Sequence, residues 1–183
     1  MRQAPVKTDV GFADYLEFEE HSQHKHEFVN GELFMMAGAS ERHNRIALNI
    51  AAVFLASSRT TGCRVFISDM KVKLEDDTVY YPDVMVVCDD SDDHAYYKTK
   101  PCLIIEVLSD STEAIDRGEK LHAYRRISSL QAYVLVNQHH ERLEVFRLSD
   151  DGRWFLEDIL DDQVLTLPCV NLGLSVDDVY AGL

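Results

Sequence analysis

The sequence predicts a mixed α/β fold, a β-sheet flanked by helices. Three observations predict it. Segments with a helical apolar period alternate with β-branched runs, in the order helix, strands, helix, strands, helix, strands. The chain has 183 residues and is 46% apolar, enough for one domain with a substantial core, expected to span residues 1–183. No glycine-rich phosphate loop of the Rossmann or Walker type is present, so a regular nucleotide-binding βαβ repeat is not expected.

The elements follow in order. Asp9 to Glu20 carries Phe12, Tyr15, Leu16 and Phe18 at roughly helical spacing, with Thr8 or Asp9 as cap. HEFVNGELFMM reads as two short strands around Asn30-Gly31, a pair that accepts the positive φ of a tight hairpin. Ser40 opens a long helix to about Ser58; Ile46, Ile50, Val53 and Phe54 share a face, and Thr60-Thr61-Gly62 ends it. Residues 64–74 alternate and read as a strand before an Asp76-Asp77 turn. YYPDVMVVC, residues 80–88, is the next strand, with Pro82 near its start where a missing N–H is tolerated.

DDSDDH reads as a solvated acidic loop. PCLIIEVLS then reads as a strand buried on both faces. Ser111 to Ile127 is a helix; at 100° per residue its inward arc holds Ala114, Leu121, Tyr124 and Ile127, with Lys120 and Arg117 inside it. AYVLVN, RLEVFRL and RWFLEDI form a meander that turns at Asp150-Asp151-Gly152. LSVDDVYAG closes the chain with a helical turn or two.

The net charge of −14 and pI near 4.8 argue against non-specific coating of nucleic acid, which needs a cationic surface. They leave room for a local basic site and suit divalent metals. The longest nearly apolar stretch, Ile46 to Ala56, is too short for a bilayer, and MRQAPVKTDV lacks the apolar core of a signal peptide. A cytoplasmic protein with no membrane partner is expected. Cys63, Cys88, Cys102 and Cys169 form no CxxC pair and read as reduced and buried; neither a disulfide framework nor a zinc cluster is expected. His21, His24 and His26 read as a solvated loop, and His139-His140 as an exposed turn. Trp154 and Phe155 read as core or dimer contacts.

The chemistry concentrates in two strands. Glu106 interrupts the apolar run Leu103–Leu108, where an ionised carboxylate costs several kcal/mol unless a proton, a cation or a metal offsets it. Asp83 follows Pro82 on the neighbouring strand. If the strands pair, Asp83 and Glu106 meet at one end, and two close carboxylates both ionise only with a cation between them. Such oxygen ligands suit Mg²⁺ or Mn²⁺; a structural ion pair with an Arg or Lys is the alternative. Lys120 can cover apolar surface with its stem or aim its ammonium at a phosphate or a metal-bound water.

PDVMVV, PCLIIEVLSDST, the spacing Asp116, Lys120, Tyr124, and AYVLVN together resemble the Uma-type restriction-endonuclease family of the PD-(D/E)XK nuclease superfamily. HEFVNGELFMM and ASERHNRIA extend the resemblance over nearly the whole chain. It implies a restriction-endonuclease-like core and metal-dependent hydrolysis of phosphodiesters, with Asp83 and Glu106 as the two acids. The lysine expected two residues after the second acid is replaced by Leu108, and Lys120 is the candidate to take its role. Glu32 resembles a further active-site acid and metal ligand, with Glu27 as the weaker alternative. His43, Arg117 and Arg125 are candidate substrate contacts, with Arg42, Arg45, Arg126, Lys98 and Lys100 as further sources of local positive charge. DNA is the implied partner, Mg²⁺ or Mn²⁺ the implied cofactor, and cutting of both strands favours a homodimer. The competing reading is a nuclease-fold binding or regulatory module without turnover.

Overall fold

The computed structural model describes residues 4–75, 77–160, 163–170 and 172–183. The Asp76 half of the expected turn and the first three residues lie outside them. The elements are α1 (Phe12–His21), β1 (His26–Val29), β2 (Glu32–Met35), α2 (Glu41–Thr61), β3 (Arg64–Ile67), β4 (Lys71–Lys73), β5 (Val79–Tyr80), β6 (Val84–Val87), β7 (Tyr97–Lys98) and β8 (Leu103–Val107). Next come α3 (Glu113–Ile115), a π-helical turn (Asp116–Lys120), α4 (Leu121–Tyr124), β9 (Ala132–Val136), β10 (Arg142–Leu148), β11 (Trp154–Leu160), β12 (Val164–Leu167), a 3₁₀ turn (Pro168–Val170), β13 (Leu172–Ser175) and α5 (Val176–Tyr180).

A six-stranded mixed sheet, ordered β11-β10-β9-β8-β6-β3, forms the centre. β8 and β9 run parallel, joined across the sheet face by α3, the π turn and α4. β6 and β8 pair antiparallel with Val84 opposite Ile105 and Met85 opposite Ile104. Side chains alternate across this sheet, so its two faces feed two cores. Val84, Val86, Leu103, Ile105 and Val107 pack with Ile46, Ile50 and Phe54 of α2. Met85, Val87, Ile104 and Leu108 pack with Leu121, Tyr124 and Ile127 on the opposite face. A second sheet, β2-β1-β5-β4-β7, lies beyond that face, and a third core of Tyr15, Phe28 and Leu33 seats α1 on it.

The mixed α/β architecture agrees with the expectation; several elements differ in instructive ways. α1 begins at Phe12 with Gly11 at its N-cap and no side-chain cap, because Asp9 is bent to φ 56° before the helix starts. The single strand read over residues 64–74 breaks at Ser68, which has φ 41°, and its halves β3 and β4 join different sheets. The strand read over residues 80–88 breaks in the same way between β5 and β6. The two breaks meet, since the Ser68 amide donates to the Asp83 carbonyl at 3.2 Å. β7, only two residues long, escapes detection by pattern. In the acidic loop Asp92 is buried rather than solvated, and its carboxylate accepts the Thr99 and Lys100 amides at 2.8 Å each.

Ala114, on the inward arc at 100° per residue, is exposed. The π turn is the reason: it inserts one residue into the helical count and rotates the preceding turn by about 100°. His26 is also buried, not in a solvated loop; its ring and its amide both bond the Glu19 carboxylate. The cysteines depart further. Cys63 and Cys88 are joined in a disulfide, because the β3–β6 register, Arg64 opposite Val87, places them face to face one step beyond the strands.

Ser40 does cap α2, its hydroxyl accepting the His43 amide at 3.1 Å, and Gly62 closes the helix at φ 73°. The Ser40 hydroxyl also donates to Gln138 at 3.1 Å. Ser40→Ala is expected to lower unfolding free energy by about 1 kcal/mol in urea denaturation. An unchanged midpoint would mean that the cap contributes nothing.

Candidate active site

Asp83 is the last residue before β6, at the corner where the chain passes from one sheet to the other. The β6–β8 register places it opposite Glu106. The two acids also clasp each other's backbone. The Val107 amide donates to Asp83 Oδ2 at 2.8 Å, and the Asp83 amide approaches Glu106 Oε2 at 3.4 Å. The side chain of Asp83 is 18% exposed and that of Glu106 4%, so Asp83 stands at the open edge and Glu106 behind it.

Lys120, at the end of the π turn, reaches Glu106 Oε1 at 3.0 Å; Tyr124 donates to the same oxygen at 2.9 Å. The ammonium also lies 3.2 Å from Glu27 of β1 and 3.1 Å from Asp116, and 5.7 Å from the centre of the Tyr80 ring. Asp116 Oδ1 is near the ammonium but outside hydrogen-bonding geometry, and it has no hydrogen-bond partner among the described residues. The site therefore gathers Glu27, Glu106 and Asp116 around one lysine, with Asp83 in register beside Glu106.

The electrostatics follow from that imbalance. Burial pushes the Glu106 carboxyl well above the usual range; Lys120 pulls it down, while Asp116 and Asp83 push it further up. Burial disfavours the Lys120 ammonium, but Glu106, Glu27 and Asp116 outweigh it and hold Lys120 charged. Burial keeps the Tyr124 phenol protonated, as a donor to Glu106 needs. His43 reaches Asp83 Oδ2 with Nε2 at 3.2 Å. Burial lowers the His43 pKa, but the bond to Asp83, its charge and a hydrogen bond to the Val107 backbone raise it overall.

The fold thus brings together Asp83, Glu106, Lys120 and His43 from four separate elements. It does not bring in Glu32. That residue sits opposite Val29 at the turn end of the hairpin, and no hydrogen bond or ion pair joins it to the cluster among the described residues. Glu27, two positions back on the same hairpin face, is the acid that reaches Lys120. Arg117 is tied to Glu113 at 2.7 Å and to Glu144, so it is committed to an ion pair rather than presented to a substrate. Lys98 is buried, donating to the Asp92 and His94 carbonyls. Arg125 is exposed, 5.6 Å over the Trp154 ring. Both line a cleft of about 790 Å³ with Tyr80, Glu119, His122 and Arg126. None of Asp83, Glu106, Lys120 and His43 lines this cleft; Tyr80, whose ring centre lies 5.7 Å from the Lys120 ammonium, does. Asp116 enters the sequence reading only through the Asp116, Lys120, Tyr124 spacing, and its i,i+4 relation to Lys120 is the signal for the ion pair it makes here.

Two carboxylates at one corner suit a hard divalent ion such as Mg²⁺, which keeps several waters and takes one or two protein carboxylates. The excess of buried acid over base around Lys120 fits an added cation; Asp116 Oδ1 has the ion pair but no hydrogen bond. Among the described residues no three His, Cys, Asp or Glu side chains converge as a ready metal cage.

Residues 12–178 match the sequence pattern of the Uma2 family, described as "Putative restriction endonuclease". The chain belongs to the Uma2 family. This Uma2 protein is 35% identical over 172 residues to an uncharacterised protein of Synechocystis sp., covering 93% of the chain and 90% of that relative. A second uncharacterised Synechocystis protein is 35% identical over 154 residues, covering 82% and 87%. The crystal structure of a "putative nuclease belonging to DUF820" from Anabaena variabilis matches with a TM-score of 0.75 at 17% identity, over 97% of this chain and 98% of that one. At that identity the likeness shows the shared fold. Among the described residues of this Uma2 protein, no helix is long and apolar enough to cross a membrane.

Proposed function

We propose that the protein is a metal-dependent endonuclease that hydrolyses phosphodiester bonds in DNA, with residues 1–183 acting as one nuclease domain and as a homodimer when both strands are cut. One observation carries the reading. Asp83 and Glu106 meet at the paired ends of β6 and β8, and Lys120, the candidate to replace the lysine missing at Leu108, stands 3.0 Å from Glu106.

Asp83 and Glu106 would hold Mg²⁺ or Mn²⁺. A bound ion would acidify a water and offset charge developing on the phosphate oxygens. Lys120 holds Glu106 in place and stands as the fixed positive charge beside it, pre-oriented by Glu27 and Asp116. Tyr124 fixes the same carboxylate oxygen from the other side. His43 steers Asp83 and offers a donor at the open edge. Glu27, in place of Glu32, is the hairpin acid of this reading. Arg125 over Trp154 supplies a planar cation in the cleft that Tyr80 also lines, suited to a phosphate or a base face.

The test is nicking of supercoiled plasmid in Mg²⁺ or Mn²⁺ at low salt, where an acidic protein loses least affinity for DNA. Wild type is expected to convert the plasmid to open circles, and Asp83→Ala to leave it intact while keeping its circular dichroism spectrum. Equal nicking by both proteins would end the assignment. Manganese binding by a wild type that never cuts would favour the binding module without turnover.

A further inference from the structure

The four cysteines, scattered in sequence, converge at the far end of the strand pair that carries the two acids. Cys63 ends the turn from α2 into β3, and Cys88 follows β6 directly. Cys102 precedes β8, held there by its amide bond to the Val86 carbonyl at 2.9 Å. Cys169 lies in the 3₁₀ turn between β12 and β13. Cys63 and Cys88 form the disulfide, while Cys102 and Cys169 are free thiols. The Cys102 sulfur lies 3.5 Å from the Cys88 sulfur.

We propose that this cluster is a thiol–disulfide exchange site in which the disulfide migrates from Cys63–Cys88 to Cys88–Cys102. Exchange needs a nucleophilic sulfur in contact with one sulfur of the disulfide, and 3.5 Å is within the approach distance of a reacting pair. As the Cys102 sulfur bonds to Cys88, the Cys63–Cys88 bond breaks, and the proton that Cys102 gives up ends on the departing Cys63 sulfur, so one thiol and one disulfide stand before and after the step. Two electrons stay shared in one new S–S bond, so no outside oxidant is required.

The same geometry argues against four zinc ligands. The Cys169 carbonyl oxygen points at the Cys63 and Cys88 sulfurs, at 3.6 and 3.4 Å. Zinc-bound thiolates are negative and gather N–H donors, so a carbonyl lone pair aimed at two of them would be repulsive. A disulfide or a thiol tolerates it. The migration changes what is tied. Cys63–Cys88 staples β3 to β6, whereas Cys88–Cys102 staples β6 to β8, whose other ends present Asp83 and Glu106.

The experiment is disulfide mapping by mass spectrometry after equilibration in a glutathione buffer, acid quenching and thiol alkylation. Wild type is expected to yield both the Cys63–Cys88 and the Cys88–Cys102 linked peptides. Cys63→Ser is expected to yield Cys88–Cys102 as its main disulfide, and Cys102→Ser only Cys63–Cys88. Wild type that shows Cys63–Cys88 alone at every buffer ratio, with no Cys88–Cys102 in Cys63→Ser, would overturn the proposal. So would four free thiols throughout, or one zinc per chain in metal analysis of the purified wild type.

Discussion

Lys120→Met is expected to lower the free energy of unfolding by about 3–5 kcal/mol, the usual cost of stripping one partner from a buried ion pair. The substitution keeps the unbranched stem that packs on the apolar core and removes only the charge. Glu106, Glu27 and Asp116 then face one another without the ammonium that each now approaches within 3.2 Å. The loss should depend on pH in a defined direction. Burial and its acidic neighbours already push Glu106 up, and removing Lys120 removes the influence that pulls it down. A carboxyl whose folded pKa lies above its unfolded value binds more protons when folded, so its stability contribution is present at low pH and lost as pH rises. The variant should therefore fall furthest below wild type at neutral pH and close the gap in mild acid. Urea denaturation at pH 7 and pH 5 measures both. A variant as stable as wild type at neutral pH would show that the ammonium does not hold the acids together.

The reason this cluster could be foreseen in part is that its elements are periodic and its register follows from them. Leu103, Ile104, Ile105 and Val107 read as a doubly buried strand, and a glutamate inside such a strand needs a proton, a cation or a metal. The pairing of β6 with β8 was conditional in the sequence, and the structure supplies it with Val84 opposite Ile105. Lys120 lay on the inward arc of its helix, and it is indeed buried. The helix departs from that phase only upstream, where the π turn shifts Ala114 to the outside. π turns leave no mark in a hydrophobic period, since they change the count rather than the composition.

The remaining discrepancies are non-local. Glu27 and Glu32 lie on the same face of one hairpin, so alternation alone could not choose between them; the choice is made by what lies across from that face. Arg117 projects into the same arc as Lys120, but Glu144 on β10, 27 residues away, captures it. The Cys63–Cys88 disulfide spans 25 residues and depends wholly on the β3–β6 register. The breaks at Ser68 and at Asp83 are likewise tertiary: each apolar run continues past the point where the chain must change sheets. Where local pattern and sheet assembly conflict, the pattern gives the strand and the assembly decides where it stops.

Glu106→Gln separates a working site from a structural ion pair, because the two readings expect opposite results. The amide keeps the shape of the carboxylate and still offers an oxygen to Tyr124, which donates to it at 2.9 Å in the wild type. Lys120 retains Glu27 and Asp116, so its charge remains compensated. If the cluster carries more acid than its lysine can balance, unfolding free energy should stay within about 1 kcal/mol of wild type or rise, as removal of surplus buried charge often permits. Plasmid nicking should nevertheless fall by more than about 100-fold, and Mn²⁺ binding should weaken with it, since even the outer partners of a metal ligand are worth about 10–100-fold. A structural pair expects the reverse, a loss of about 3 kcal/mol or more with metal binding unmoved. The asymmetry between the two substitutions at one contact is the informative quantity. Losing the lysine strands three acids, whereas losing one acid leaves a balanced lysine. A fold that tolerates the second far better than the first is a fold arranged to receive another cation.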